Sequence, residues 1–248
     1  DIPEMSASGA GELEGLTIWL RAPLARRARG LERVRPSQAA EGPGVRLADR
    51  LRPGASQAMA RGALLHAWLA HIEWLDHGEP EEGMLRRVAH HFAPVGLDIE
   101  AEIQAFRSML ALPQTRTVLS RRGYGDLAQL GFSATCCTDV QYQNVALRVL
   151  RERPFAVREN DAVVYGIIDR LVLFCRGDKV LAADLLDFKS DAIAVRDVAE
   201  IDQVVARYQP QLTMYHRAMT QHFALDVDRM ATRLLFVQVG EVRRVEVL

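Results

Sequence analysis

Two apolar segments, Val163–Phe174 and Lys179–Phe188, constrain this chain more than any other feature. Arg176-Gly177-Asp178 lies between them and reads as a hairpin turn, so the segments are expected to pair as adjacent strands. Asp169, in Gly166-Ile-Ile-Asp169-Arg170, and Asp187, in Leu185-Leu186-Asp187-Phe188-Lys189, interrupt these apolar runs. A carboxylate in such a place is costly unless it is ion-paired or binds a metal. On neighbouring strands the two can converge, and their like charges then call for a cation between them. Oxygen ligands select a hard ion such as Mg²⁺, with Mn²⁺ able to substitute. Side chains alternate along a strand, so Lys189 shares a face with Asp187. The chain holds two lysines, Lys179 and Lys189, against 29 arginines. A compact ammonium at position 189 therefore points to a task that a planar, permanently charged guanidinium performs poorly. For each of these residues alone, a buried structural salt bridge is the competing reading.

The rest of the chain gives these strands a context. Residues 1–55 are rich in Gly, Pro, Ala and Arg and read as an arm or linker; Leu16–Leu24 could pack on a core, and Ala25–Arg35 is a basic stretch. Gly42-Pro43-Gly44 and Pro53-Gly54 are breakers. From residue 56 to 248 one domain is expected. It opens with a helix capped by Ser56 and apolar at Met59, Leu65, Trp68, Leu69, Ile72 and Leu75. Helices follow near Glu81–Phe92, Asp98–Leu112 and Gln114–Arg121. After Gly125 the pattern changes, with strands at Asn144–Glu152 and in the hairpin. Helices at Asp197–Val205 and Pro210–Phe223 come next, then strands at Ala231–Val239 and Val242–Leu248 turning at Gly240-Glu241. The order predicts an α/β fold with a mixed central sheet flanked by helices and a helical N-terminal half.

Composition narrows the function. The net charge of −1 is unlike that of a free-standing DNA binder, so strong backbone grip would come from a partner or neighbouring domain. Cys136, Cys137 and Cys175 lack the number and spacing for an iron–sulfur cluster or a disulfide framework. No apolar run is long enough for a membrane span, and no signal peptide is evident. A cytoplasmic protein is expected. There is no Gly-x-x-x-x-Gly-Lys-[Ser/Thr] loop, hence no nucleotide site.

Gly-x-x-Asp-Arg, a hairpin, then Asp-Phe-Lys-Ser-Asp resembles the central motifs of the PD-(D/E)XK nucleases of the RecB type. Tyr208-Gln-Pro-Gln211-Leu-Thr-Met-Tyr215 resembles that family's Gln-x-x-x-Tyr helix. Arg61-Gly62-Ala-Leu-Leu-His66-Ala-Trp68 resembles its Gly-x-x-x-His helix, and Glu152-Arg-Pro154-Phe155 its Glu-x-Pro-Phe element. The order is similar to that in the nuclease domain of AddA-type helicase–nuclease subunits and covers Arg61 to Tyr215. The resemblance implies a restriction-endonuclease-like fold and a metal-dependent deoxyribonuclease acting in double-strand-break repair and recombination. It implies that His66, Asp169, Asp187 and the Phe188 carbonyl hold the metal, with Lys189 at the attacking water. Gln211 and Tyr215 would position Lys189 and contact DNA, with Tyr208 and Glu152 as further substrate contacts. It also implies a bacterial, nucleoid-associated setting, single strands fed by a helicase motor, and an AddB-like partner subunit. The alternative is a nuclease fold that binds DNA without cutting it; the intact acid–acid–lysine set argues against that.

Overall fold

A computed structural model of the protein describes residues 31–41, 55–92, 96–141, 144–190 and 198–247. The expectations for Leu16–Leu24, for most of the basic stretch and for the breakers fall outside them. Described elements, in chain order, are β1 (Glu32–Val34), α1 (Pro36–Glu41), α2 (Ala55–Leu69), α3 (Glu82–Phe92), α4 (Ile99–Ala111), α5 (Pro113–Val118), α6 (Leu127–Leu130) and α7 (Ala134–Gln141). They continue with β2 (Ala146–Glu159), β3 (Ala162–Arg176), β4 (Lys179–Lys189), α8 (Val198–Phe223), β5 (Met230–Phe236) and β6 (Glu241–Arg244).

The helical half forms where the apolar period repeats. Leu64, Trp68 and Leu69 of α2 are buried, together with Ile72 just beyond it. Met59, grouped with them by sequence, is 60% exposed. At about 100° per residue it lies opposite Trp68 on the helix, so it belongs to the other face. Ser56 lies inside α2, which already begins at Ala55. Asp98 caps α4 by accepting a hydrogen bond from Ala101 N. The helix expected at Gln114–Arg121 is the shorter α5, with Pro113 at its start, where a missing N–H costs little. A 3₁₀ turn, Arg121–Tyr124, follows. α6 and α7 are too short to show a helical period in sequence.

The expected hairpin is present and longer than its apolar runs. Arg176 pairs with Lys179 across Gly177-Asp178, and Gly177 takes φ +60°. A second hairpin precedes it: β2 runs on past Glu152 and turns through Asn160 (φ +53°) into β3. Pro154 is tolerated within β2 because, among the described residues, that strand pairs only with β3. The described strands form a six-stranded mixed sheet in the order β1-β3-β4-β5-β6, with β2 also on β3. β1 is parallel to the start of β3, and β4 is parallel to β5. Residues 32–41, within the expected arm, thus supply a strand and a short helix to this sheet unit. The two helices expected around Pro210 are one, α8, with the proline inside it. Ile201, Leu212, Tyr215, Ala218 and Met219 pack both halves on the same sheet face, which overrides the local break. β5 and β6 are shorter than expected, and the turn is Val237–Gly240, with Gly240 at φ +67°.

The sheet divides the core. α8 covers one face, over Leu171, Leu173, Ala183, Leu185, Leu234 and Phe236. The helical half covers the other, over Leu186, Phe188, Leu235 and Val237 at one end and Val172, Phe174 and Ala231 at the other. A buried polar network crosses this second interface. Arg233 grips Asp184 bidentately, Nε to Oδ1 at 2.9 Å and Nη2 to Oδ2 at 2.6 Å. The Tyr124 hydroxyl lies 3.1 Å from Asp184 Oδ2 and 3.3 Å from the Val118 carbonyl, and donates to one of them. Asp184 is fully buried. Removing one partner of such a pair costs about 3–5 kcal/mol, because the other charge is stranded. Arg233→Met is therefore expected to lower urea-unfolding stability by about that much. The double variant Asp184→Leu/Arg233→Met should recover most of the loss; a double variant no more stable than the single one would contradict this assignment.

Candidate active site at the strand fork

β3 and β4 pair up to Arg170↔Leu186. Continuing that register sets Asp169 opposite Asp187, at the point where the strands part. The fork is closed by a side chain: Asp169 Oδ2 accepts the Phe188 backbone N–H at 2.7 Å. A carboxylate thus takes the place of a ladder carbonyl, and the backbone of one motif is fixed to the acid of the other.

An irregularity aims the acids. Regular strands place alternate residues on one face, so same-face residues differ by an even number. On β3, Ile168 and Leu171 both pack in the core under α8, and on β2 so do Leu150 and Phe155. Both intervals are odd, so alternation reverses between them on each strand. Arg151 pairs with Arg170 and Arg153 with Ile168, which leaves Glu152 and Asp169 facing each other at the reversal. Glu152 takes φ +43°. A non-glycine residue there costs about 1–3 kcal/mol, a kind of strain that collects at functional sites. The reversal turns Glu152 and Asp169 toward α2. There His66 Nδ1 lies 3.3 Å from Asp169 Oδ1 and 3.6 Å from Glu152 Oε1.

His66, Glu152 and Asp169 each offer a ligand atom, and these atoms lie within 4.8 Å of one another. Glu152 Oε1 is buried and accepts no hydrogen bond among the described residues. A buried, unsatisfied oxygen beside an imidazole and a carboxylate suits a cation. The cluster differs from the set expected from sequence. Glu152 joins His66 and Asp169, whereas Asp187 turns toward α8. Its Oδ2 pairs with Lys189 Nζ at 2.7 Å, and its Oδ1 accepts from Gln211 Nε2 at 3.3 Å. Phe188 contributes its N–H to Asp169 and its ring, edge-on to His66 at 6.1 Å between centroids.

α8 supplies the cradle for Lys189, which shares a face with Asp187 as alternation requires. Gln211 Oε1 accepts from Nζ at 3.4 Å, and the Tyr208 ring lies under the ammonium with its centroid 4.0 Å away. Tyr215, one turn after Gln211, is buried, with its ring 5.6 Å from that of Phe155. Both rings press on Gly166, where an added Cβ would come within 3.1 Å of Phe155 and 3.2 Å of Tyr215. A larger residue in place of the glycine of Gly-Ile-Ile-Asp would have to push one of these rings aside by a few tenths of an ångström. At Gly62 an added Cβ would stand 3.2 Å from Ser190 Oγ, which places the start of the Gly-x-x-x-His motif close against the end of β4. The site opens into a cleft of about 1160 Å³ between α2, α4 and the fork. Ser190 and Gln238 also line it; Gln238 was invisible in sequence because it lies in a turn outside any motif.

The electrostatics follow from this geometry. Burial opposes a charged His66, but Asp169 and Glu152 outweigh it and push its pKa up to about 10. Burial raises the Asp187 carboxyl, which Lys189 only partly offsets. Burial also opposes the Lys189 ammonium, yet Asp187 and Asp169 hold its pKa above the ordinary value. Asp169 ends below the carboxylate range, since His66 and the Phe188 N–H overcome burial. His66 should carry a stability term with a defined sign. Its folded pKa lies above its unfolded value, so the term is full below about pH 6.5 and is lost as pH rises through about 10. In EDTA, the urea midpoint should fall more steeply between pH 6.5 and 10 in the wild type than in His66→Gln. Parallel slopes would remove His66 from this role.

No helix among the described residues is long and apolar enough to cross a membrane. No curated protein matches the chain. A family model described as the PD-(D/E)XK nuclease superfamily matches residues 43–247. The match takes in the fork, both helices that reach into it and every strand except β1, and on it the chain belongs to the PD-(D/E)XK nuclease superfamily.

Proposed function

We propose that this chain is a Mg²⁺-dependent deoxyribonuclease domain that hydrolyses phosphodiester bonds at the fork. The observation that carries the reading is the convergence of Asp169, His66 and Glu152 beside the Asp187–Lys189 pair, with His66, both aspartates and the lysine lining one cleft. His66, Asp169 and Glu152 would hold the cation, with Asp187 and the Phe188 carbonyl as further donors. Mg²⁺ bound there would polarise the phosphodiester and make water a better nucleophile. Lys189 is held by Asp187, Gln211 and the Tyr208 face, so its ammonium is fixed and charged. That favours orienting the attacking water and offsetting phosphoryl charge over removing a proton with a neutral amine. Gln211 bridges Asp187 and Lys189 and keeps the two in register. Tyr215 acts as a wedge that fixes Gly166 and, through the strand, Asp169.

The motif order further supports a role as the nuclease part of an AddA- or RecB-like helicase–nuclease. In that setting it would degrade single strands during double-strand-break repair, beside an AddB-like subunit. The near-neutral charge fits a domain supplied with DNA by a motor rather than one that captures it alone.

Two experiments test the chemistry. Cleavage of labelled DNA should require Mg²⁺ or Mn²⁺, stop with EDTA, and fall about 10²-fold or more in Asp169→Asn and Lys189→Ala. Equal cleavage by wild type and variants would sink the assignment. The lysine cradle has its own readout, because the chain has two lysines. With ¹³Cε-lysine, the signal lost in Lys189→Arg should be shifted upfield by the Tyr208 ring. Tyr208→Leu should abolish that shift and lower kcat more than it raises KM, while Tyr208→Phe should preserve both.

A further inference from the structure

The reversal at Glu152 and Asp169 has a second effect, on the far part of the β2–β3 hairpin. Beyond it, Val157 and Ile168 pack in the core under α8, and Val164, four residues from Ile168 and so on the same side of the strand, is buried too. Their neighbours Pro154, Ala156, Arg158, Val163, Tyr165 and Ile167 therefore face the opposite way, the side to which Glu152 and Asp169 turn. That face is open: Ile167 is 52% exposed, Pro154, Ala156 and Arg158 are exposed, and Val163 and Tyr165 are half-buried. Pro154 pairs with Ile167, and Ala156 with Tyr165, so the uncovered side chains form one continuous strip. It starts at the carboxylates and runs ~13 Å from Asp169 to Tyr165, at ~3.3 Å per residue.

We propose that this strip is the track for the nucleic-acid strand being cut, specifically an unpaired strand. The inference rests on the nuclease reading of the fork and adds where the substrate lies. The chemistry of the strip argues for it. Tyr165 offers an aromatic face, and Arg35 lies over that ring at 5.4 Å, a pair on which a nucleobase can stack while the guanidinium meets a phosphate. Ile167 and Pro154 extend the apolar platform toward the acids. Arg35 and Arg158 are exposed, and neither is in an ion pair among the described residues. Cations thus stand at the end remote from the carboxylates, while the acids stand where a cation is needed to receive the scissile phosphate. Stacking requires bases freed from a duplex, which selects a single strand. A second protein would not need the arginines, and a duplex would not use the platform.

Binding and contact can be measured apart from cleavage. In EDTA, where no cutting occurs, oligothymidylate carrying 5-iodouracil should photocrosslink to Tyr165. Tyr165→Ala should weaken binding of the oligonucleotide about tenfold, within the range of one lost stacking contact, and Tyr165→Phe should restore it. Arg35→Ala and Arg158→Ala should each flatten the salt dependence of binding. Crosslinks confined to α2 and α4, or Tyr165→Ala binding like wild type, would overturn the track even if the protein cuts DNA. Crosslinking at Tyr165 by a protein that cuts nothing with any metal would uphold the track and defeat the nuclease reading. A dimer in solution that Ile167→Asp dissociates would assign the strip to a second copy instead and overturn the proposal.

Discussion

The hydrogen bond from the Phe188 N–H to Asp169 is the contact on which the rest of the site depends. A sheet normally satisfies such a donor with a carbonyl of the neighbouring strand. Here the neighbour has begun to diverge, and a carboxylate reaches across in its place. The substitution lets β3 and β4 separate without stranding a buried N–H. It also ties the acid of the first motif to the backbone between the acid and lysine of the second. Orientation of Asp187 and Lys189 is thereby linked to the position of Asp169, and the bond is strongest when that acid is ionised.

From this fork the two helical layers take different tasks. α2 brings an imidazole to the carboxylates on one side, and α8 brings an amide and an aromatic face to the lysine on the other. Neither layer reaches the whole site. The sheet seam is the place where both can contribute, and the reversed alternation at Glu152 lets one acid pair face α2 while Asp187 faces α8.

Much of this was legible in the chain. The hairpin, the carboxylates on adjacent strands, Lys189 beside Asp187 and the mixed α/β class follow from apolar runs, turn residues and period-two alternation. His66, Gln211 and Tyr215 were visible only through motif context, since one histidine or glutamine on a helix carries no signal of its own. Glu152 was seen as a contact but not as a partner of His66. Its place depends on a left-handed backbone that composition does not announce, as no glycine marks it. The continuous α8 was hidden by Pro210, because local propensity predicts a break that packing against the sheet overrides. Asp184 passed unnoticed between Ala183 and Leu185, and its partner Arg233 lies on a strand remote in sequence.

Asp169 and Arg170 stand side by side, and they answer to different demands. Arg170 is 1% exposed, and its fork donates to the Ile72 and Glu73 carbonyls at 2.8 and 2.6 Å, with Trp74 stacked beneath. It secures the turn that follows α2, the helix that carries His66. The dipeptide therefore couples the geometry of the candidate site to folding within two residues. A screen that scores activity would rank both positions as indispensable. A screen that scores cellular abundance would grade them, rejecting most changes at the arginine while tolerating at position 169 those replacements whose side-chain oxygen still accepts the Phe188 N–H, such as asparagine.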